Sequence, residues 1–181
     1  MKKHVLWVPV LTLCAMAPAQ LFKKSNKKSV TMADHKIVQP NDIQWGDAPP
    51  VLPAGAKMAV LAGDPGKAGA FIVRLKAPDK YRIAPHWHPT AEHVTVISGK
   101  FMLGMGDKWD DKAMTELGSG AFASMNAKAR HYATTKGETV LEVAGMGPFV
   151  LNYVDPNDNP MKNAAPAKKA AAPAKSPAKK K

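Results

Sequence analysis

Between Met58 and Tyr153 the hydrophobic runs of this chain last five to eight residues before Gly, Pro, Asp or Asn interrupts them. Runs of that length, rich in β-branched and aromatic residues, suit strands and are too short for ordinary helices. Candidate strands fall at 58–62, 70–76, 81–88, 92–97, 100–105, 120–125, 130–134, 139–144 and 148–153. The triplet SGK at 98–100 predicts a tight hairpin turn, with Gly99 at positive φ. Only KWDDKAMTEL at 108–117 reads as a helix, of about three turns at most. Many short strands at this spacing predict an all-β sandwich or barrel. A doubly wound α/β fold is excluded, because strands do not alternate with long helices.

The formal net charge of +12 points at first to an anionic partner. The distribution of charge corrects that impression. Lys2, Lys3, Lys23, Lys24, Lys27 and Lys28 lie before residue 29, and seven more lysines lie between Lys162 and Lys181, with no acidic residue in either stretch. Removing those thirteen from the 26 basic residues leaves 13 against 14 acidic ones, a net charge of −1 for the middle of the chain. The folded part therefore needs no anionic partner, and no nucleic acid is expected.

Residues 1–19 read as a secretory signal peptide: Lys2 and Lys3, then VLWVPVLTLCAMA, then small residues that allow cleavage after Ala17 or Ala19. The apolar stretch is too short to span a bilayer. Cys14 is the only cysteine, so the mature chain has no internal disulfide in any compartment. Leu13 stands where lipoprotein processing needs a small residue, which argues against lipidation of Cys14. Residues 20–45 read as a basic linker and N-terminal arm, 46–160 as the one folded domain, and 161–181 as an Ala/Pro/Lys tail. With no large apolar residue after Met161, burial cannot offset the entropy of ordering that tail, and it is expected to be disordered. The export signal predicts a periplasmic or secreted protein.

The chemistry is concentrated in PHWHPTAEHVTVISG, residues 85–99. His86 and His88 are two apart, so one strand puts both on the same face. Glu92, Val94 and Val96 then alternate as an inward face, with His93, Thr95 and Ile97 on the other. His131 follows a turn at 126–129 and is a fourth donor. Three imidazoles and a carboxylate make a borderline, nitrogen-rich set that suits Zn, Fe, Mn, Ni or Cu rather than Ca or Mg. His93 reads as an outward residue, and His4 and His35 lie outside the domain. Met102, Met105, Met125 and Met146 read as core filler more readily than as pocket wall. Trp87 should face away from the two histidines, as packing or a subunit contact. Asp110 and Asp111 read as a solvated face. Ser119, Ser124 and Cys14 lack partners for nucleophilic catalysis.

The spacing His86-x-His88-x3-Glu92-x6-Gly99 resembles the first motif of the cupin superfamily, and Gly120 with His131 resembles the second. The likeness covers roughly residues 46–160 and is closest in character to small bacterial cupins of unassigned activity and to the zinc-holding cupin half of some anti-sigma factors. It departs at Lys80, where the first motif begins with Gly, and at Asn126, Lys128 and Thr135, where the second has Pro, Gly and Asn. A left-handed turn residue at Lys128 would be strained. The resemblance implies a cupin-type β-barrel (a double-stranded β-helix or jelly roll) with one short helix. It also implies one divalent transition metal held by His86, His88, Glu92 and His131, with open positions for a small-molecule ligand or substrate, and a homodimer.

Two functions follow. If the chain is an enzyme, the resemblance implies dioxygenase-like or isomerase-like metal chemistry; Tyr81, His93 and Tyr132 are the only candidate bases besides the ligands. Otherwise it is a non-catalytic metal-binding, ligand-binding or sensing cupin. In that reading its lysine-rich tails contact anionic lipid or cell-wall polymer of the envelope.

Overall fold

Alternation along single strands decides the architecture. Phe71, Val73, Leu75 and Ala77 are buried, while Ile72, Arg74 and Lys76 between them are half-buried, the period of two that lays one face of a strand on a core. The computed structural model describes residues 35–163, of which those from Val38 onward belong to one compact unit. The expected leader with Cys14, the linker up to residue 34 and the tail from residue 164 lie outside the described residues.

Among the described residues nine strands follow in order: β1 (Gly46–Asp47), β2 (Lys57–Ala62), β3 (Gly69–Ala77), β4 (Ile83–Trp87), β5 (Glu92–Met105), β6 (Thr115–Gly118), β7 (Phe122–Met125), β8 (His131–Gly147) and β9 (Asn152–Tyr153). Every pairing is antiparallel. The long strand β8 is the spine. Its C-terminal half lies between β3 and the start of β5, with Val73 and Val94 both opposite Val143. Its N-terminal half lies between β4 and the end of β5, with His86 and Met105 both opposite His131. The enclosed core includes Phe71, Val73, Tyr81, Ile83, Val94, Val96, Phe101, Leu141 and Val143. The expected all-β barrel is thus present, and the one short α-helix among the described residues is α1 (Pro160–Asn163).

Two local readings need correction. Residues 108–117 do not form a helix: Asp111–Ala113 make one 3-10 turn, and Thr115–Gly118 are strand β6. Asp110 caps that turn by accepting from the Lys112 N–H, while Leu103 to Lys100 offer a partner edge to Thr115–Gly118. A long-range edge overrides the local helix propensity here. Nor is SGK a hairpin turn. Strand β5 runs straight through it, with register shifts on both sides of Ser98. Gly99 does take positive φ (82°), but in a bulge pressed against β8, where a Cβ would lie 2.4 Å from the Glu138 carbonyl oxygen. Such a bulge bends a long strand so that it can serve both halves of the barrel.

Lys80 (φ 57°) and Lys128 (φ 64°) are the only non-glycine residues at positive φ among those described. They are the two positions where the motifs have glycine and this chain has lysine. Both are held by the neighbouring turns: the Lys80 N–H donates to the Thr135 carbonyl at 3.1 Å, and the Lys128 N–H to the His88 carbonyl at 2.8 Å. Thr135, standing where the second motif has Asn, accepts from the Tyr81 N–H and donates to the Pro78 carbonyl. A left-handed side-chain-bearing residue costs roughly 1–2 kcal/mol, and glycine gives back about 0.4–1 kcal/mol in the unfolded chain. Lys128→Gly is therefore expected to stabilise the protein by about 0.5–1 kcal/mol, read as a higher urea midpoint at unchanged slope. A lower midpoint would mean that the Lys128 side chain contributes more than its backbone strain removes.

Candidate metal centre

Three strands meet where the chemistry of the sequence predicts it. His86 lies in β4 and His88 just beyond its end; Glu92 opens β5 and His131 opens β8. Backbone pairing of His86 with His131 brings two of the imidazoles together. Their ring centroids are 4.2 Å apart, with His88 at 5.1 Å from His86 and 5.5 Å from His131. One ring nitrogen from each of the three histidines lies within 4.8 Å of the others, so the three are positioned to bind a metal ion. The Glu92 Oε2 atom lies 3.1 Å from His131 Nε2 and 3.6 Å from His88 Nε2. All four residues are buried. The four candidate ligands of the sequence are thus in one cluster.

The tautomers follow from the other ring nitrogen. His86 Nδ1 is 2.8 Å from the Ala84 carbonyl, His88 Nδ1 2.9 Å from the Val150 carbonyl and His131 Nδ1 3.0 Å from the Ala129 carbonyl. A carbonyl only accepts, so each Nδ1 carries the proton and donates it. Each Nε2 then presents a lone pair to the centre, the arrangement that orients a metal-binding imidazole. The Phe149 ring stacks on His88 at 4.1 Å and 13° and limits that ring's rotation.

The result is a concentration of acceptors. With Nδ1 protonated, His131 Nε2 and Glu92 Oε2 face each other with lone pairs at 3.1 Å. The buried atoms His88 Nε2 and Glu92 Oε2 have no hydrogen-bond partner. Buried polar atoms without partners are costly, and a cation among them would satisfy both. Burial, then the neighbouring His131 and His88, push the His86 pKa down to about 3. Burial also lowers that of His88. Burial opposes ionisation of Glu92, but the close approach of His131, then of His88 and His86, holds its carboxyl below the usual range. Neutral imidazoles beside a carboxylate are the protonation state that metal binding requires.

A cavity of about 280 Å³ reaches His86, His88 and Glu92. Its other walls come from β2, β3, β4 and β8, from Pro49, Val51 and Leu52 ahead of β2, from Pro65 and Gly66 between β2 and β3, and from Phe149 and Leu151 ahead of β9. The segment at 49–53 is tied down by two phenols: Tyr153 Oη donates to the Val51 carbonyl at 2.8 Å, and Tyr81 Oη to the Pro53 carbonyl at 2.5 Å. Burial raises the pKa of Tyr81, and that of Tyr153 to about 12, so both remain protonated donors.

The remaining sequence candidates lie elsewhere. His93 is exposed, 3.0 Å from Ser124 Oγ, and Tyr132 donates to the Asp110 carbonyl. With Tyr81, neither of them lines the cavity. Met102 and Met125 are buried and Met105 and Met146 exposed; none lines the cavity. Trp87 borders an outer groove with Lys128 and Arg130. Phe149, Val51 and Leu52 escaped the sequence reading. The signals that could have found them are weak: an aromatic after Gly147-Pro148, and an apolar pair within a proline-rich arm.

Residues 16–152 match the model of a family described as a domain of unknown function, DUF4437. No curated protein matches the chain. Among solved structures, the polyketide cyclase RemF from Streptomyces resistomycificus is similar with a TM-score of 0.55 at 16% identity, over 71% of this chain and 91% of that one. A candidate acetylacetone dioxygenase from Methylibium petroleiphilum is similar with a TM-score of 0.54 at 19% identity, over 70% and 85%. An RmlC-like cupin from Shewanella frigidimarina has a TM-score of 0.49 at 13% identity, over 62% and 90%. At these identities the likeness is one of fold.

Proposed function

The chain belongs to the DUF4437 family and has the cupin fold, and we propose that it holds one divalent transition metal ion (Zn, Fe, Mn, Ni or Cu) through His86, His88, Glu92 and His131, facing a cavity that admits a small molecule. The observation that carries this reading is the set of three Nδ1–carbonyl hydrogen bonds, which frees all three Nε2 lone pairs, those of His88 and His131 lying 3.6 and 3.1 Å from Glu92 Oε2. Three nitrogens and one oxygen form a borderline donor set. A bound ion of that kind supplies Lewis acidity toward an oxygen atom entering the cavity. The protein's own residues do the rest. The backbone carbonyls of Ala84, Ala129 and Val150 fix the imidazoles, Phe149 packs on His88, and the apolar walls keep bulk water from the four donors.

A holding or sensing role stands beside catalysis. It is favoured by the cavity wall, whose only titratable side chains among the described residues are His86, His88 and Glu92. We further propose that the protein is exported and works as a homodimer, with its basic terminal segments touching anionic lipid or cell-wall polymer. Metal analysis of protein purified without added metal tests the central reading. About one equivalent of a transition metal is expected. Adding that metal to stripped protein at about 100 times Kd should stabilise it by about 2.7 kcal/mol. No stoichiometric binding of any of the five metals would refute the assignment. Oxygen consumption by the loaded protein with phenolic and keto-acid compounds then separates catalysis from holding.

A further inference from the structure

The walls of the cavity select their own ligand. Among the described residues sixteen line it, and apart from His86, His88 and Glu92 all are apolar, glycine or proline. No Lys, Arg, Ser, Thr, Asn or Gln is among them. Tyr81 and Tyr153 offer the cavity no hydroxyl, because both donate to backbone carbonyls of the 49–53 segment. A molecule entering here finds polar partners at one end only. Its body meets Phe71, Val73, Leu75, Ile83 and Val143, with Leu52 on the wall formed by the segment ahead of β2.

Charge narrows the class further. Three neutral imidazoles, one carboxylate and one divalent ion sum to a single positive charge in a buried, apolar setting. A buried charge is stable only when paired. A monoanion completes the pairing; a dianion overshoots it, and no wall cation is available to take up the excess. A polyol fails for a separate reason, since each hydroxyl beyond the first would be stripped of water and left without a partner. The volume, about 280 Å³, is near the small end of ligand pockets.

We infer that the cavity binds a small, largely hydrocarbon monoanion with a single oxygen head, a carboxylate, enolate or phenolate, whose head faces the metal and whose body fills the apolar barrel. This rests on the metal-holding reading above. The head sets the anchor, and the absence of wall donors excludes sugars and phosphate esters of similar size.

The test uses the full chain loaded with Co(II), whose visible absorption reports changes at the ion without any turnover. Cobalt content and affinity are measured first. Benzoate, benzyl alcohol, phenyl phosphate and glucose are then titrated at pH 8, followed by absorption and by calorimetry. Benzoate is expected to shift the cobalt spectrum saturably, with at least tenfold higher affinity than each of the other three. In Leu52→Trp, which narrows the cavity at a wall residue away from the four donors, benzoate affinity should fall at least tenfold while cobalt content stays at one equivalent. Cobalt bound normally but glucose or phenyl phosphate bound as well as benzoate would overturn the ligand class and leave the metal site standing. Undiminished benzoate binding in cobalt-loaded Leu52→Trp would overturn the location. Failure to bind cobalt or any of the other metals would overturn both this inference and the metal reading.

Discussion

Alanine in place of His131 lowers the affinity for Zn²⁺ by about two to three orders of magnitude. Four-ligand zinc sites in small domains bind with roughly 10–16 kcal/mol. One ligand of four is then worth roughly 2.5–4 kcal/mol, at about 1.4 kcal/mol per decade of affinity. The same loss is expected for His86→Ala and His88→Ala, because each ring holds its Nε2 toward the centre by an Nδ1–H donated to the backbone. Glu92→Gln should cost less, about ten- to a hundredfold, since the amide oxygen keeps its place and loses only its charge. His93→Ala serves as the control: its ring is exposed beside Ser124 on the opposite face of β5, and affinity should not change. Calorimetric titration of stripped protein with zinc reads all five, and a melting curve for each variant confirms folding. Parental affinity in His131→Ala would remove the second motif from the site. Lost affinity in His93→Ala would mean that the outer face takes part.

The site was largely legible because its geometry is written in short range. The two-residue step from His86 to His88 and the alternation from Glu92 to Val96 need only the period of a strand, and burial follows that period residue by residue. Even the hydrogen bonds that fix His86 and His131 are local, each reaching the carbonyl two residues back. The rest of the pocket depends on partners far away in sequence. The Val150 carbonyl accepts from the His88 Nδ1–H across 62 residues, and Tyr153 ties down Val51 across 102. No pattern in a window of ordinary width contains both ends of such a contact.

The fold divides in the same way. Strands with clean alternation, such as β3 and the first half of β5, were readable. Residues 108–117 were not, because charged residues there fit a helix surface as well as an edge strand, and only the β5 edge decides for β6. Gly99 was read correctly as a positive-φ residue and wrongly as a turn; a bulge and a hairpin make the same demand on glycine. Lys80 and Lys128 show the converse. The motif comparison marks them as positions made for glycine, and the backbone there is left-handed with lysine in place. The ligands match the cupin pattern while the turns that carry them depart from it, so the geometry of this site is kept by the surrounding hydrogen bonds and not by turn residues.

The metal-free protein loses stability as the pH falls from 7 toward 4.5. The His86 pKa is held near 3 in the folded chain against an ordinary 6.5, and that of His88 is shifted in the same direction. Between those limits the unfolded chain binds a proton that the folded chain refuses. Stability therefore rises with pH in this window and is lost below about 6.5. Each such histidine contributes up to about 1.4 kcal/mol per pH unit. Glu92 adds nothing there. Its own window lies below the ordinary carboxylate value of 4.5, where its lowered pKa acts in the same sense. Between pH 6 and 5 the loss should be about 1–2 kcal/mol, allowing for partial titration near 6.5 and for relaxation around a buried proton. In a domain of this size that lowers Tm by roughly 3–10 °C. His86→Leu, which cannot take up the proton, should show a flatter profile. Zinc should raise Tm more at pH 7 than at pH 5, because protons compete for the same lone pairs. Melting curves in the presence of a chelator measure the first effect and saturating zinc the second. A Tm that stays level or rises toward pH 5 would mean that the histidines are already protonated against Glu92 in the metal-free fold. The cluster would then be an ion pair and not an empty set of acceptors.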